Sequence, residues 1–193
     1  MIFALLALVF MANACDTDVE FPDNHFAVGT KLETFTLRDL SGAEQSLDKL
    51  EGENGAVLVW VSAECPVVKS YNERINQAAD ELKAKGINLI GINSNATESL
   101  DWVTSVAKEV GYKFPILIDK GNVLADKLGA SVTPEFFYFD KENALLYRGA
   151  LDNDRSGKNV TINYLRDAFD SALGKRPVTN AKTNAIGCSI KRA

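Results

Sequence analysis

Ala56-Val57-Leu58-Val59-Trp60-Val61-Ser62-Ala63-Glu64-Cys65-Pro66-Val67-Val68-Lys69 is the stretch from which the rest of the chain can be read. Its first seven residues form a continuous apolar and β-branched run, as a strand covered on both faces requires. From Pro66 to Lys85 the pattern changes. Apolar residues fall at Val68, Tyr71, Ile75, Ala78, Ala79 and Leu82, the spacing of an amphipathic helix, and Gly86 closes it. Proline suits the first helical position, whose N–H would have no partner anyway, so Cys65 is expected to be the N-cap of that helix.

Working outward, strand and helix patterns alternate. Ile87 to Asn93 reads as a strand, Glu98 to Val110 as a helix ended by Gly111, and Phe114 to Asp119 as a strand. Val123 to Leu128 is a short helix before Gly129. Phe136 to Asp140 and Ala144 to Arg148 bracket a Lys141-Glu142-Asn143 turn, and Tyr164 to Leu173 makes a last helix before Gly174. Upstream, Phe35 to Leu40 and Glu44 to Leu47 flank the Ser41-Gly42 turn as a hairpin, with Asp48 to Glu53 a polar connection. The expectation is an α/β domain over 26–174: a central mixed sheet with helices on both faces and an N-terminal β-hairpin extension. Residues 175–193 are a polar tail that carries Cys188.

The 193 residues carry a net charge of −5, and Lys and Arg are scattered, so no basic face invites a phosphate backbone and nucleic acid is not an expected partner. Residues 1–14, MIFALLALVFMANA, are uncharged and too short in their apolar part to span a bilayer at about 20 residues per helix. They read as a signal peptide ending in Ala12-Asn13-Ala14, with Cys15 next. Apolar run, small residues and then cysteine resemble the lipobox of bacterial lipoproteins, which implies lipidation of Cys15 and membrane attachment through an N-terminal lipid anchor. Ordinary secretion after cleavage at the same bond, or an uncleaved anchor, are the other readings. All three put the mature domain in the cell envelope or outside, periplasmic or on the outer face of a bacterial membrane. Residues 15–25 are acidic and aperiodic, a tether.

Three cysteines and one histidine, His25 in the tether, leave little for metal or triad chemistry. Neither a metal nor a cofactor is expected. With Cys15 assigned to processing, Cys65 and Cys188 remain. Free amides and the positive dipole end at a helix start favour a thiolate, so Cys65 is expected to be ionisable and to sit at an opening. Lys69, one turn on, would assist; Glu64 would oppose. The bland alternative is an inert core thiol.

Val59 to Lys69, together with Val132-Thr133-Pro134 and Phe136-Phe137-Tyr138-Phe139-Asp140, resembles the active-site segment, cis-proline loop and following strand of the thioredoxin fold. Gly91-Ile92-Asn93-Ser94-Asn95, Tyr147-Arg148-Gly149 with Asp152, and Ile186-Gly187-Cys188-Ser189-Ile190-Lys191 extend the resemblance to the peroxiredoxin-like branch of the redoxin (AhpC/TSA-like) superfamily. The resemblance implies Cys65 as catalytic thiol and a substrate groove shaped by Thr133 and Pro134, with Ser62 and Lys69 tuning the sulfur. Two departures matter. The second cysteine of Cys-x-x-Cys is replaced by Val68, and the peroxiredoxin proline seven residues before the reactive Cys by Leu58.

Cys188 is the candidate resolving thiol, approaching Cys65 of its own chain or, in a homodimer, of another; a small apolar packing role or a structural bridge is the alternative. A bridge requires α-carbons within about 7 Å. The function expected is a thiol-dependent oxidoreductase acting on a peroxide or a protein disulfide, with an external thiol reductant. The alternative is a non-catalytic binding or assembly lipoprotein, since a fold does not dictate a function.

Overall fold

The protein is described by a computed structural model over residues 26–192; the expectations placed on residues 1–25 lie outside the described residues. In chain order the elements are β1 (Thr36–Asp39), β2 (Glu44–Ser46), α1 (Leu47–Leu50), β3 (Ala56–Trp60), α2 (Pro66–Ala84), β4 (Asn88–Asn93) and α3 (Leu100–Val110). They continue with β5 (Ile116–Ile118), α4 (Val123–Leu128), β6 (Val132–Thr133), β7 (Glu135–Phe139), β8 (Leu145–Gly149), α5 (Tyr164–Leu173) and β9 (Cys188–Ser189).

Seven strands make one sheet in the order β2-β1-β5-β4-β3-β7-β8. β3, β4 and β5 are parallel, while β7 and β8 run antiparallel on one side and β1 and β2 on the other. This is the mixed sheet of a thioredoxin fold extended by the N-terminal hairpin. All five residues of β3 are fully buried, and their alternation divides the core between the two faces. Val57 and Val59 join the face covered by α2, α3 and α5, while Ala56, Leu58 and Trp60 join the face holding Leu47 of α1 and Leu124, Ala125 and Leu128 of α4. Trp60 meets Phe137 edge-on at 4.9 Å between ring centroids.

Most boundaries shift by a residue or two from the sequence expectation, and two of the differences have a clear physical cause. The connection expected over Asp48 to Glu53 begins inside a helical turn, because Leu47 is buried and anchors it. The third helix starts at Leu100 rather than Glu98, since the hydroxyl of Ser99 accepts from the Trp102 amide at 3.2 Å and caps it there. Glu98 is thereby left in the loop after β4.

After α5 the chain turns back over the domain. The Arg148 amide donates to Ala181 O at 2.9 Å, and the Thr183 amide donates to Arg148 O at 3.0 Å, so this return follows the free edge of β8. It then reaches β6, which pairs antiparallel with β9 as a separate two-stranded ribbon. Residues 181–192 thus form a strap across the C-terminal end of the central strands.

Candidate active site

Cys65 is the N-cap of α2, with Pro66 in the first turn and the Lys69 amide donating to Cys65 O at 3.1 Å. The strand β3 delivers the corner and the helix carries its dipole to it, an arrangement that stabilises negative charge on sulfur. The corner itself is held from below. The Cys65 amide donates to Ser62 Oγ at 3.1 Å, and that hydroxyl donates to Glu98 Oε1. Glu98 also accepts from the amides of Ala63 (3.0 Å) and Glu64 (3.1 Å) and from the side-chain amides of Asn93 (2.6 Å) and Asn95 (2.9 Å). Burial pushes the Glu98 carboxyl up, but hydrogen bonds from Ser62, Ala63, Asn93 and Glu64 outweigh it and hold the group below its ordinary value.

Cys188 is bonded to Cys65, with α-carbons 5.9 Å apart across 123 residues of sequence. The bond joins the helix start to the strap. In β9, Cys188 stands opposite Thr133 and Ser189 opposite Val132, immediately before the cis Thr133-Pro134 peptide. Cys65 Sγ lies 3.3 Å from Thr133 O, which would accept the thiol proton in the reduced state. The strap is seated by more than the bond. The Ile190 amide donates to Ser131 O (2.9 Å), the Ala96 amide to Lys191 O (2.8 Å) and the Lys191 amide to Asn95 Oδ1 (2.8 Å).

Cys65 was expected at an opening; it is 1% exposed, covered by the strap and packed in the core with Val68 and Tyr71, while Cys188 is only partly buried. Strand pairing at Thr133 draws the tail directly over the sulfur. Ser62 and Thr133 are buried beside Cys65, and Pro134 follows Thr133 in the same turn. Lys69 is exposed on the first turn of α2, and Cys15 lies outside the described residues.

Two groups escaped the sequence reading. One is Glu98 with its asparagines; the motif Asn93-Ser94-Asn95 was visible, but Glu98 was absorbed into a helix. The other is the buried pair Glu135–Arg148, joined at 3.0 Å. Glu135 Oε2 accepts from the Ser131 amide at 2.9 Å, and Arg148 donates to Leu128 O and Gly129 O, so the pair ties the loop before Pro134 to the end of α4. No cluster of three or more His, Cys, Asp or Glu able to hold a metal exists among the described residues.

The thiol-disulfide oxidoreductase ResA of Bacillus anthracis is 26% identical over 119 residues, which is 62% of this chain and 67% of the relative. Two solved structures are similar over more of the chain. A hypothetical protein from Sinorhizobium meliloti 1021 superposes with a TM-score of 0.79 at 31% identity, covering 88% of this chain and 97% of that one. An uncharacterized conserved protein from Geobacillus kaustophilus gives 0.80 at 31% identity, covering 88% and 94%. The AhpC/TSA family model matches residues 28–148, from just before the hairpin to Arg148 in β8. That span contains the Cys65 corner, the Glu98 loop and the cis-proline turn, and the chain belongs to the AhpC/TSA family.

Proposed function

We propose that this chain is a thiol-dependent oxidoreductase of the cell envelope that cycles between the Cys65–Cys188 disulfide and a dithiol. The observation that carries the reading is the bond between a helix N-cap sulfur and a strand laid against the cis-proline turn. The likeness to proteins named thiol-disulfide oxidoreductase supports the class, and Cys188, 123 residues on, supplies the second thiol that Val68 does not.

The burial difference assigns the order of events. Attack on a disulfide needs access to the sulfur attacked, and Cys65 is almost wholly buried while Cys188 is partly exposed. An incoming thiolate therefore bonds to Cys188, and the electron pair of the broken S–S bond leaves on Cys65, where the helix start accommodates it. A second reductant thiolate attacks the reductant's own sulfur in the mixed disulfide, expels Cys188 as thiolate, releases the oxidised reductant and leaves both cysteines reduced. In the other half-cycle Cys65 thiolate attacks an oxidant. A disulfide gives a mixed disulfide and a free thiolate; a peroxide gives a sulfenic acid and hydroxide or alkoxide. Attack by Cys188 on Cys65 then restores the bond, expelling thiolate or water.

Cys15 is proposed as the lipid-bearing residue and residues 1–14 as its signal, supported by the apolar run that precedes it. Thr133 and Pro134 are proposed to line the substrate groove, and Ser62 and Lys69 to tune the sulfur. The reading is tested by oxidising the reduced chain in stopped flow with hydrogen peroxide and, separately, with a protein disulfide, followed by a thiol count. Two thiols are lost per oxidant in the native chain. With Cys188→Ser, Cys65 is left as a sulfenic acid or an unresolved mixed disulfide. Failure of both oxidants to consume Cys65 overturns the enzymatic reading and leaves the binding lipoprotein.

A further inference from the structure

We propose that Glu98 is the positioning residue of the thiol corner, a fixed negative charge that gathers the amides of residues 63 and 64 and the Ser62 hydroxyl beneath Cys65. The inference rests on the reading of Cys65 as a redox thiol. It goes beyond that reading by assigning the group that opposes the helix start.

The Glu98 carboxylate is bound by neutral groups alone. Its five donors are the Ser62 hydroxyl, two backbone amides and two asparagine side chains, all uncharged. Among the described residues no cation is paired with it, so the negative charge is fixed in place without being neutralised. A serine hydroxyl has one proton. Because Ser62 gives its proton to Glu98, its oxygen can face Cys65 only as an acceptor, and it takes the Cys65 amide at 3.1 Å. The amides of Ala63, Glu64 and Cys65 are all turned into this network and none is left for the sulfur. A thiolate on Cys65 then has the first turn of α2 as its stabilising partner, with Thr133 O 3.3 Å away and the Glu98 network beneath the corner.

The network is also hard to relax. Asn93 bridges Glu98 to Val61 O at the end of the β3 run. Asn95 is fixed on its other side, since its carbonyl oxygen accepts the Lys191 amide of the strap. The other titratable groups facing this region are Glu64, which accepts from Thr97 Oγ1, Tyr112, whose hydroxyl is pushed up by burial and by Glu98, and the exposed Lys69 and Lys191. Lys191 turns its ammonium to Ser189 Oγ rather than to Glu98.

The test measures the thiol rather than turnover. In a Cys188→Ser background, the rate of Cys65 alkylation by iodoacetamide is followed against pH, with circular dichroism to establish folding. Glu98→Gln, close in shape but uncharged, moves the midpoint down by about half a unit or more, roughly threefold faster alkylation at a pH below both midpoints. Glu98→Asp keeps the charge and stays near the parent. Asn95→Asp keeps the acceptor for the strap but sets a second carboxylate beside the first, and moves the midpoint up. An unchanged or raised midpoint in folded Glu98→Gln overturns the proposal. Should that variant not fold, an unchanged or lowered midpoint in Asn95→Asp overturns it. A chain that shows these shifts yet consumes no oxidant would remove the enzymatic reading and leave the Glu98 assignment intact.

Discussion

Glu98 shows how one side chain links stability to pH at this site. Its carboxyl titrates below the ordinary glutamate value in the folded chain, because hydrogen bonds to the charged form outweigh burial. A depressed folded value contributes stability that is present above the unfolded value, near 4.3 for glutamate, and is lost as pH falls through the folded value. Urea unfolding of the native chain between pH 6 and pH 3 is expected to show falling stability on acidification. The slope should flatten in Glu98→Gln, and an equal slope in both would remove Glu98 from the set of linked groups. The position of Cys65 is legible from Pro66 alone, since proline at the first helical position makes its predecessor the cap. Glu98 was not legible in the same way. Glutamate is acceptable both before a serine cap and inside a first turn, and only the hydroxyl contact from Ser99 to Trp102 settles which.

At the scale of elements, the two-residue strands β6 and β9 decide where the second thiol goes. Neither has a period that sequence can reveal, and each is stabilised by the other. Gly187 is the residue that permits the pairing, for a β-carbon there would collide with Thr133 O and press on Pro134. Replacing Gly187 by alanine should therefore lift β9. Thermal melting should show a loss of about 1–3 kcal/mol, as for other overpacked sites. The share of disulfide in a glutathione buffer should fall with it, and unchanged values for both would mean the strap does not depend on this close approach. The buried pair Glu135–Arg148 works on the same turn from inside, because Glu135 holds the amides before Pro134 and Arg148 holds the end of α4. Truncating Glu135 to alanine leaves a buried guanidinium without its anion. Chemical denaturation is expected to record a cost of about 3–5 kcal/mol.

Over the whole molecule, the bond between Cys65 and Cys188 closes a loop of 123 residues, most of the described chain. Chain-entropy reasoning puts the gain from such a loop at about 5 kcal/mol, through restriction of the unfolded state. Urea unfolding with and without a reductant should differ by up to that amount. The strap has other anchors at Arg148, Ser131 and Asn95. Amide exchange at Thr183, on the β8 edge, should therefore stay protected after reduction, while Ile190, two residues from the broken bond, should lose protection as Cys65 is uncovered for its oxidant; loss at both would show that the bond alone seats the strap.

Local pattern was sufficient for the α/β alternation, the strand covered on both faces and the helix that starts at Pro66, because hydrophobic period and proline chemistry act within a few residues. The hairpin and the cis-proline turn were also within reach, through a turn signal and a resemblance. Tertiary structure alone decided that Cys188 lies against Thr133, that Cys65 is covered, and that Glu98 sits beneath the corner. Each of these depends on hydrogen bonds between segments tens of residues apart, and such partners are chosen by the packing of the whole sheet, to which no local stretch of sequence has access.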